Sequence, residues 1–303
     1  MTKHLLSDFD FNSKEVNELL NLAEKVKKNP EEFLSSLKNK TLAMYFEKTS
    51  TRTRVSFEVA MTQLGGHAVY LDARTTQSAK GEPLSDIAKT LSRYCDGIMA
   101  RMYKQSDLEI MAKAASVLVI NGLTDLFHPC QTLGDLLTVK EKLGKLEGTI
   151  AFLGDCGFNM AHSTLISFSK MAMNVNLVCP DIKDYMPKEE IVEKAQKEAV
   201  GEINIIHNPE EGVKNVDVVY TDTWVSMGQE KEMEQRIKDL KPYQVNSSLL
   251  RSAKKSVKIM HCLPAYREYE ITGEVLDGPN SLIWDQAENR LHIQKAILLT
   301  LIR

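Results

Sequence analysis

The feature that most constrains this chain is an alternation. Apolar runs of strand length stand at Thr41–Phe46, Ala68–Leu71, Gly97–Arg101, Val117–Asn121, Thr149–Leu153, Val175–Cys179, Ile203–Ile206, Val216–Thr221, Val257–His261 and Ser281–Trp284. Between most of them lie stretches of helical periodicity, among them Val55–Leu64, Leu84–Tyr94, Leu133–Leu143, His162–Met173 and Lys188–Val200. Several runs are apolar throughout, as strands covered on both faces are. Strand, helix, strand repeated this often predicts an α/β chain of parallel sheets flanked by helices. Helical patterns at Ser13–Lys28 and Pro30–Leu37 precede the alternation, and Gln286–Ile302 closes the chain.

With 303 residues and about 150 residues per domain, the chain is expected to form two domains, although one large α/β domain also fits. The sequence has four strand runs before residue 130 and the rest after 148. The boundary is therefore placed in the helical stretch Gln131–Lys145, giving domains 1–133 and 134–286. Periodicity alone lets the closing helix, 287–303, pack on either one.

Composition narrows the function classes. Apolar residues make up 43% of the chain, which is too many for disorder, and a net charge of −3 argues against a nucleic-acid partner. Apolar stretches such as Ala296–Leu299 fall far short of the roughly 20 residues that span a bilayer. The N-terminus mixes charges with single apolar residues and lacks a secretory h-region. The five cysteines, Cys95, Cys130, Cys156, Cys179 and Cys262, are scattered and form no C-x-x-C pair. A disulfide framework or structural zinc is not expected, and a cytoplasmic location is. The first four read as packing residues.

The densest chemical signal is Ser50-Thr51-Arg52-Thr53-Arg54, after one strand run and before a helix. A helix N-terminus offers unpaired N–H groups and a favourable dipole to an anion. Three hydroxyls and two guanidiniums add donors suited to a phosphate. Arg52 and Arg54 lie about 200° apart on a helix, so Arg52, nearer the cap, is the better ligand candidate. The bland alternative is an ordinary Ser/Thr cap with exposed arginines.

Arg101, His128 and Gln131 also fall at the carboxyl ends of strands, where open α/β sheets gather their ligands. Alone, Arg101 reads as a surface arginine and His128 as a satisfied loop histidine; their shared location raises both. The loop Asp222–Gly228 offers a carboxylate, a hydroxyl and a glycine suited to an ammonium group. From chemistry alone a polar loop with Trp224 packed is the preferred reading. In His261-Cys262-Leu263-Pro264, adjacent strand residues face opposite sides, so His261 is poorly placed as a base for Cys262. The turn Gly154–Asn159 has the outline of a dinucleotide loop, but Cys156 and Asn159 stand where G-x-G-x-x-G needs glycine. That turn can instead aim Asn159 at a substrate.

Together these motifs resemble the aspartate/ornithine carbamoyltransferase family. The resemblance rests on F-E-K-x-S-T-R-T-R at Phe46–Arg54, H-P-x-Q at His128–Gln131, D-x-W-x-S-M-G at Asp222–Gly228, H-C-L-P at His261–Pro264 and A-E-N-R at Ala287–Arg290, in order, with the stretch Gly81–Arg101 alongside. It implies a first domain that binds carbamoyl phosphate and a second that binds L-ornithine, with 287–303 returning to the first. It implies that Ser50, Thr51, Arg52 and Thr53 hold the phosphate and that Arg101 is shared between phosphate and carbonyl oxygen. His128 would assist at that oxygen, and Gln131, the Leu263 carbonyl and Arg290 would orient the carbamoyl end. Asn159 would take the substrate carboxylate, and Asp222, Ser226 and Met227 the α-amino group. Cys262 would sit beside the reacting amine, and Gln77 would reach across to a neighbour in a homotrimer. No metal, cofactor, nucleic acid or membrane is implied. The S-M-G loop favours ornithine over aspartate, and over putrescine, which has no amino-acid head. A dinucleotide-dependent oxidoreductase and a non-catalytic binding protein are the alternatives from other classes.

Overall fold

The computed structural model describes residues 3–225 and 230–302. Its contacts divide the chain into two compact units, Met1–Leu137 with Glu288–Arg303, and Thr138–Ala287. Each unit is built on one parallel sheet.

In the first unit the strands are β1 (Thr41–Phe46), β2 (His67–Asp72), β3 (Gly97–Arg101) and β4 (Leu118–Leu123), in the order β2-β1-β3-β4. All pairings are parallel. The central strand β3 is buried along its whole length, whereas edge strand β2 has only exposed and half-buried positions. That contrast follows from coverage on both faces at the centre only. Ala43, Tyr45, Ile98, Ala100 and Val119 form the core beneath the helices. The helices are α1 (Ser13–Lys28), α2 (Thr51–Gln63), α3 (Leu84–Tyr94), α4 (Gln105–Ala114) and α5 (Pro129–Leu143), the last running on into the second unit. Asn12 and Glu15 close a reciprocal capping box at the start of α1.

In the second unit β5 (Gly148–Leu153), β6 (Met173–Val178), β7 (Ile203–Ile206), β8 (Val218–Thr221) and β9 (Lys258–His261) follow the order β7-β6-β5-β8-β9, again all parallel. Its helices are α6 (Asn159–Lys170), α7 (Glu189–Glu198), the single turn α8 (Pro209–Gly212), α9 (Met233–Leu240) and the single turn α10 (Gly273–Leu276). Helix α11 (Ile283–Leu301) starts here and ends in the first unit. There the Lys27 ammonium of α1 donates to Asn289 Oδ1 at 2.8 Å, so the closing helix lies against α1. No helix among the described residues is long and apolar enough to cross a membrane.

Two sequence expectations need correction. Ser281–Trp284 is not a strand: Ser281 makes a single bridge to Ile259, and Ile283 already begins α11. A four-residue apolar run does not distinguish a strand from the first turn of a helix. Pro30–Leu37 is not one helix but a 3₁₀ turn, Pro30–Phe33, followed by turns. Some boundaries shift as well. Met173 opens β6 because Ala172, at φ +66°, ends the preceding helical turn. Helix α4 adds an element that the periodicity had not singled out.

Candidate active site

In the first unit, β1 delivers the chain to the start of α2. The Ser50 hydroxyl caps that helix by accepting from the Thr53 N–H at 3.2 Å. Thr51 is exposed and Arg52 half-buried. Arg54 is turned away, paired with Glu58 at 3.1 Å and stacked on the Tyr70 ring at 3.8 Å. The 200° separation expected of two residues on a helix therefore divides the two arginines between different faces.

Thr53, buried at 1% exposure, is where the site converges. Its hydroxyl oxygen accepts from Arg101 Nη1 at 3.4 Å and from Arg290 Nη2 at 3.3 Å. Arg101 arrives from the end of β3 and also donates to the Gly122 carbonyl at 3.4 Å. Arg290 arrives on α11 and donates through Nη1 to Gln131 Oε1. Gln131 is in turn oriented by Asp135, which accepts from its Nε2 at 2.9 Å. A Gln–Asp pair one helical turn apart holds the amide oxygen toward the arginine. His128 is buried beside these groups, and burial, then Arg290 and Arg101, depress its imidazole well below the usual histidine range. It is neutral near pH 7, because an imidazolium there would be desolvated and repelled by two guanidiniums.

Lys48 belongs to the same electrostatic neighbourhood, though no role was assigned to it from the sequence. It is buried, its ammonium sits 4.4 Å over the Tyr103 ring, and burial followed by Arg101 lowers its pKa. Its place two residues before the Ser50 cap was the available signal. Such a concentration of positive charge and hydroxyls suits a phosphate-bearing ligand. Gln77 is exposed on the 3₁₀ turn Gln77–Lys80.

In the second unit, β5 ends in a turn where Gly154 has φ +121°, a conformation that favours glycine. A Cβ there would also stand 3.3 Å from the Trp224 indole nitrogen. The turn hands over to α6 at Asn159, which is buried. Asp155 accepts from the Gly157 N–H at 2.9 Å and pairs with Arg236, whose Nε donates to the Trp224 carbonyl at 2.7 Å. Arg236 thus ties the Asn159 turn to the loop after β8. Burial raises the Asp155 carboxyl above its usual range against the pull of Arg236. Cys156 is buried with its N–H bound to the Tyr185 carbonyl, so this turn is packed by side chains rather than opened by glycines.

β8 and β9 pair with Thr221 opposite His261, which brings the next residue of each strand together. The Cys262 thiol donates to Asp222 Oδ1 at 2.9 Å. His261 faces elsewhere: its Nδ1 accepts from the Leu263 N–H at 2.9 Å and its Nε2 meets Glu270 Oε1 at 3.0 Å. Asp222, His261 and Cys262 lie close enough to resemble a metal triad, with donor atoms within 4.8 Å of one another. Both His261 nitrogens are already engaged, which leaves two donors where a zinc site needs at least three protein ligands. Trp224 is fully packed, at 1% exposure. Ser226 and Met227 lie outside the described residues.

Two family models match the chain. One, described as the aspartate/ornithine carbamoyltransferase carbamoyl-P binding domain, matches residues 3–141, and the other, the Asp/Orn binding domain of the same family, matches 147–301. The chain is 51% identical over 299 residues to an ornithine carbamoyltransferase of Methanothermobacter thermautotrophicus, covering 98% of this chain and 97% of that one. It is 51% identical over 266 residues to an anabolic ornithine carbamoyltransferase of Pyrococcus furiosus, covering 86% and 84%. The solved structure of the ornithine carbamoyltransferase from Pyrococcus furiosus superposes with a TM-score of 0.94 at 46% identity, covering 99% of this chain and 97% of that one.

Proposed function

The chain belongs to the aspartate/ornithine carbamoyltransferase family, and from that premise we propose that it transfers the carbamoyl group of carbamoyl phosphate to the δ-amine of L-ornithine, giving L-citrulline and phosphate. It is a transferase. The observation that carries the reading is the convergence of Arg101 and Arg290 on the Thr53 hydroxyl, beside a neutral His128.

In the reaction, the lone pair of the neutral δ-amine attacks the carbonyl carbon. The C=O electrons move onto oxygen, then return as the C–O bond to phosphate breaks, and the nitrogen gives up one proton to the departing phosphate oxygen. Positioning and charge stabilisation accomplish this without a covalent enzyme intermediate. Ser50, Thr51, Arg52 and Thr53 hold the phosphate, supported by the capped helix start that they form. Arg101 spans phosphate and carbonyl oxygen. His128, neutral and therefore an N–H donor without a competing positive charge, assists at that oxygen. Gln131 and Arg290, already bonded to each other, orient the carbamoyl end together with the Leu263 carbonyl. Asn159 takes the ornithine carboxylate, Asp222 with Ser226 and Met227 the α-amino group, and Cys262 stands by the reacting amine. We read the working form as a cytoplasmic homotrimer on the strength of the family resemblance, with the exposed Gln77 completing a neighbour's site.

The test is one panel. Carbamoyl phosphate is supplied with ornithine, putrescine, acetylornithine or aspartate, and phosphate release and product mass are followed. Citrulline from ornithine alone is the expected result; turnover with putrescine but not ornithine overturns the substrate assignment.

A further inference from the structure

The segment after β9 carries two groups assigned above to the reacting end, the Cys262 thiol and the Leu263 carbonyl, and its backbone is not relaxed. Leu263 has φ +62°, the left-handed region, which costs a non-glycine residue about 1 kcal/mol or more. A residue held there persists only when its surroundings over-determine it.

Those surroundings are a buried pair. His261 and Glu270 have fully buried side chains, with Nε2 and Oε1 3.0 Å apart. The Leu263 N–H donates to His261 Nδ1 at 2.9 Å, so Nδ1 carries the lone pair and Nε2 carries the proton that points to Glu270. The same Glu270 oxygen accepts from the Tyr266 N–H at 2.5 Å. One carboxylate oxygen therefore sets the histidine tautomer and holds the returning loop at a second point. Its other oxygen, Oε2, is buried with no hydrogen-bond partner among the described residues. A carboxyl placed this way is expensive for folding alone, which points to a use beyond packing. Glu270 is itself anchored by its backbone, since its carbonyl accepts from the Val245 N–H at 2.9 Å. The Gln244 amide holds the preceding Glu268 and Tyr269 carbonyls, each at 2.8 Å.

We propose that Glu270 is a positioning residue for the reaction: through the His261 tautomer it fixes the turn that presents the Cys262 thiol and the Leu263 carbonyl. The proposal rests on the assignment of those two groups to the reacting end. Neither Glu270 nor His261 touches substrate in it.

The full-length enzyme is compared with Glu270→Leu and Glu270→Gln, measuring melting temperature, kcat per folded enzyme and KM for each substrate. In Glu270→Leu the freed turn misplaces the two groups by a fraction of an ångström to an ångström, and kcat falls by about 100-fold. KM for carbamoyl phosphate moves far less than kcat, because the groups proposed to hold its phosphate lie in the first unit. Glu270→Gln keeps the oxygen acceptor and restores most of the rate. A folded Glu270→Leu enzyme with wild-type kcat, or a Glu270→Gln enzyme as impaired as Glu270→Leu, overturns the proposal. Should Glu270→Leu fail to fold, nitrogen-15 histidine spectra of the wild type decide, since a proton on His261 Nδ1 also overturns it. A wild-type enzyme that forms no citrulline defeats the functional reading instead, and leaves the tautomer result standing by itself.

Discussion

Arg290 donates to the hydroxyl of Thr53 at 3.3 Å, joining the closing helix to the start of α2 across 237 positions of sequence. Arg101 reaches the same oxygen at 3.4 Å, so a single hydroxyl spaces two buried guanidiniums. Like charges held this close need fixed acceptors between them, and an anion placed among them would relieve their repulsion.

Thr53→Val keeps the shape and removes that acceptor. The hydroxyl is also one of the proposed phosphate donors, and a hydrogen bond to a charged group is worth about 1.5–3 kcal/mol, so at about 1.4 kcal/mol per tenfold the KM for carbamoyl phosphate is expected to rise roughly tenfold to a hundredfold. Steady-state kinetics read this directly. An unchanged KM would place the phosphate away from Thr53.

Asp222→Asn removes a charge assigned to the ornithine α-amino group. A hydrogen bond to a charged partner is worth about 1.5–3 kcal/mol, so KM for ornithine rises about tenfold to a hundredfold. KM for carbamoyl phosphate stays put. Equal movement of both constants would show that Asp222 acts on the fold rather than on the amino acid.

Arg236→Ala strands the buried Asp155 carboxylate and releases the Trp224 carbonyl. Breaking a buried pair from one side costs about 3–5 kcal/mol. Urea denaturation of this variant should show a loss of that size, and a midpoint matching the wild type would mean that Asp155 finds another partner.

His128 gives stability a pH dependence of definite sign. Its folded pKa lies well below the ordinary 6.5, so below pH 6.5 the unfolded chain takes up a proton that the folded chain refuses. Stability is unaffected by this group above that value and falls as pH drops from it toward the lowered folded pKa. Denaturation curves across that range should show a shallower decline in His128→Gln than in the wild type.

The reacting amine gives the rate its own pH dependence. An ornithine δ-amine with a lysine-like pKa of about 10.4 is mostly protonated at neutrality, and reaching the neutral form there costs about 4–5 kcal/mol. The turnover rate should climb toward alkaline pH. A profile flat across that range would remove the free amine from the mechanism.

Much of this molecule was legible in the sequence because its signals are local. Apolar runs separated by helical periodicity marked all nine strands among the described residues, and the one surplus strand, Ser281–Trp284, failed because a short apolar run equally suits the first turn of a helix. The S-T-R-T-R segment announced a helix cap, and the angle between Arg52 and Arg54 separated their faces. Lys48, Asp135, Arg236 and Glu270 went unassigned for a common reason. Each acts on a partner that pattern-reading does not choose: Tyr103 for Lys48, the Gln131 amide for Asp135, Asp155 and the Trp224 carbonyl for Arg236, and His261 for Glu270.

By itself, then, the sequence determined the parallel α/β class, the strand ends at which ligand groups cluster, and the family. Those follow from periodicity and from contiguous motifs, which depend only on neighbouring residues. The tertiary structure alone decided that Thr53 is shared by two arginines, that burial beside two guanidiniums keeps His128 neutral, and that the partners of His261 are the Leu263 N–H and Glu270. Burial and distance set charge and tautomer, and both come into being only when β3, α5 and α11 close on Thr53 and when β9 is caught by Glu270.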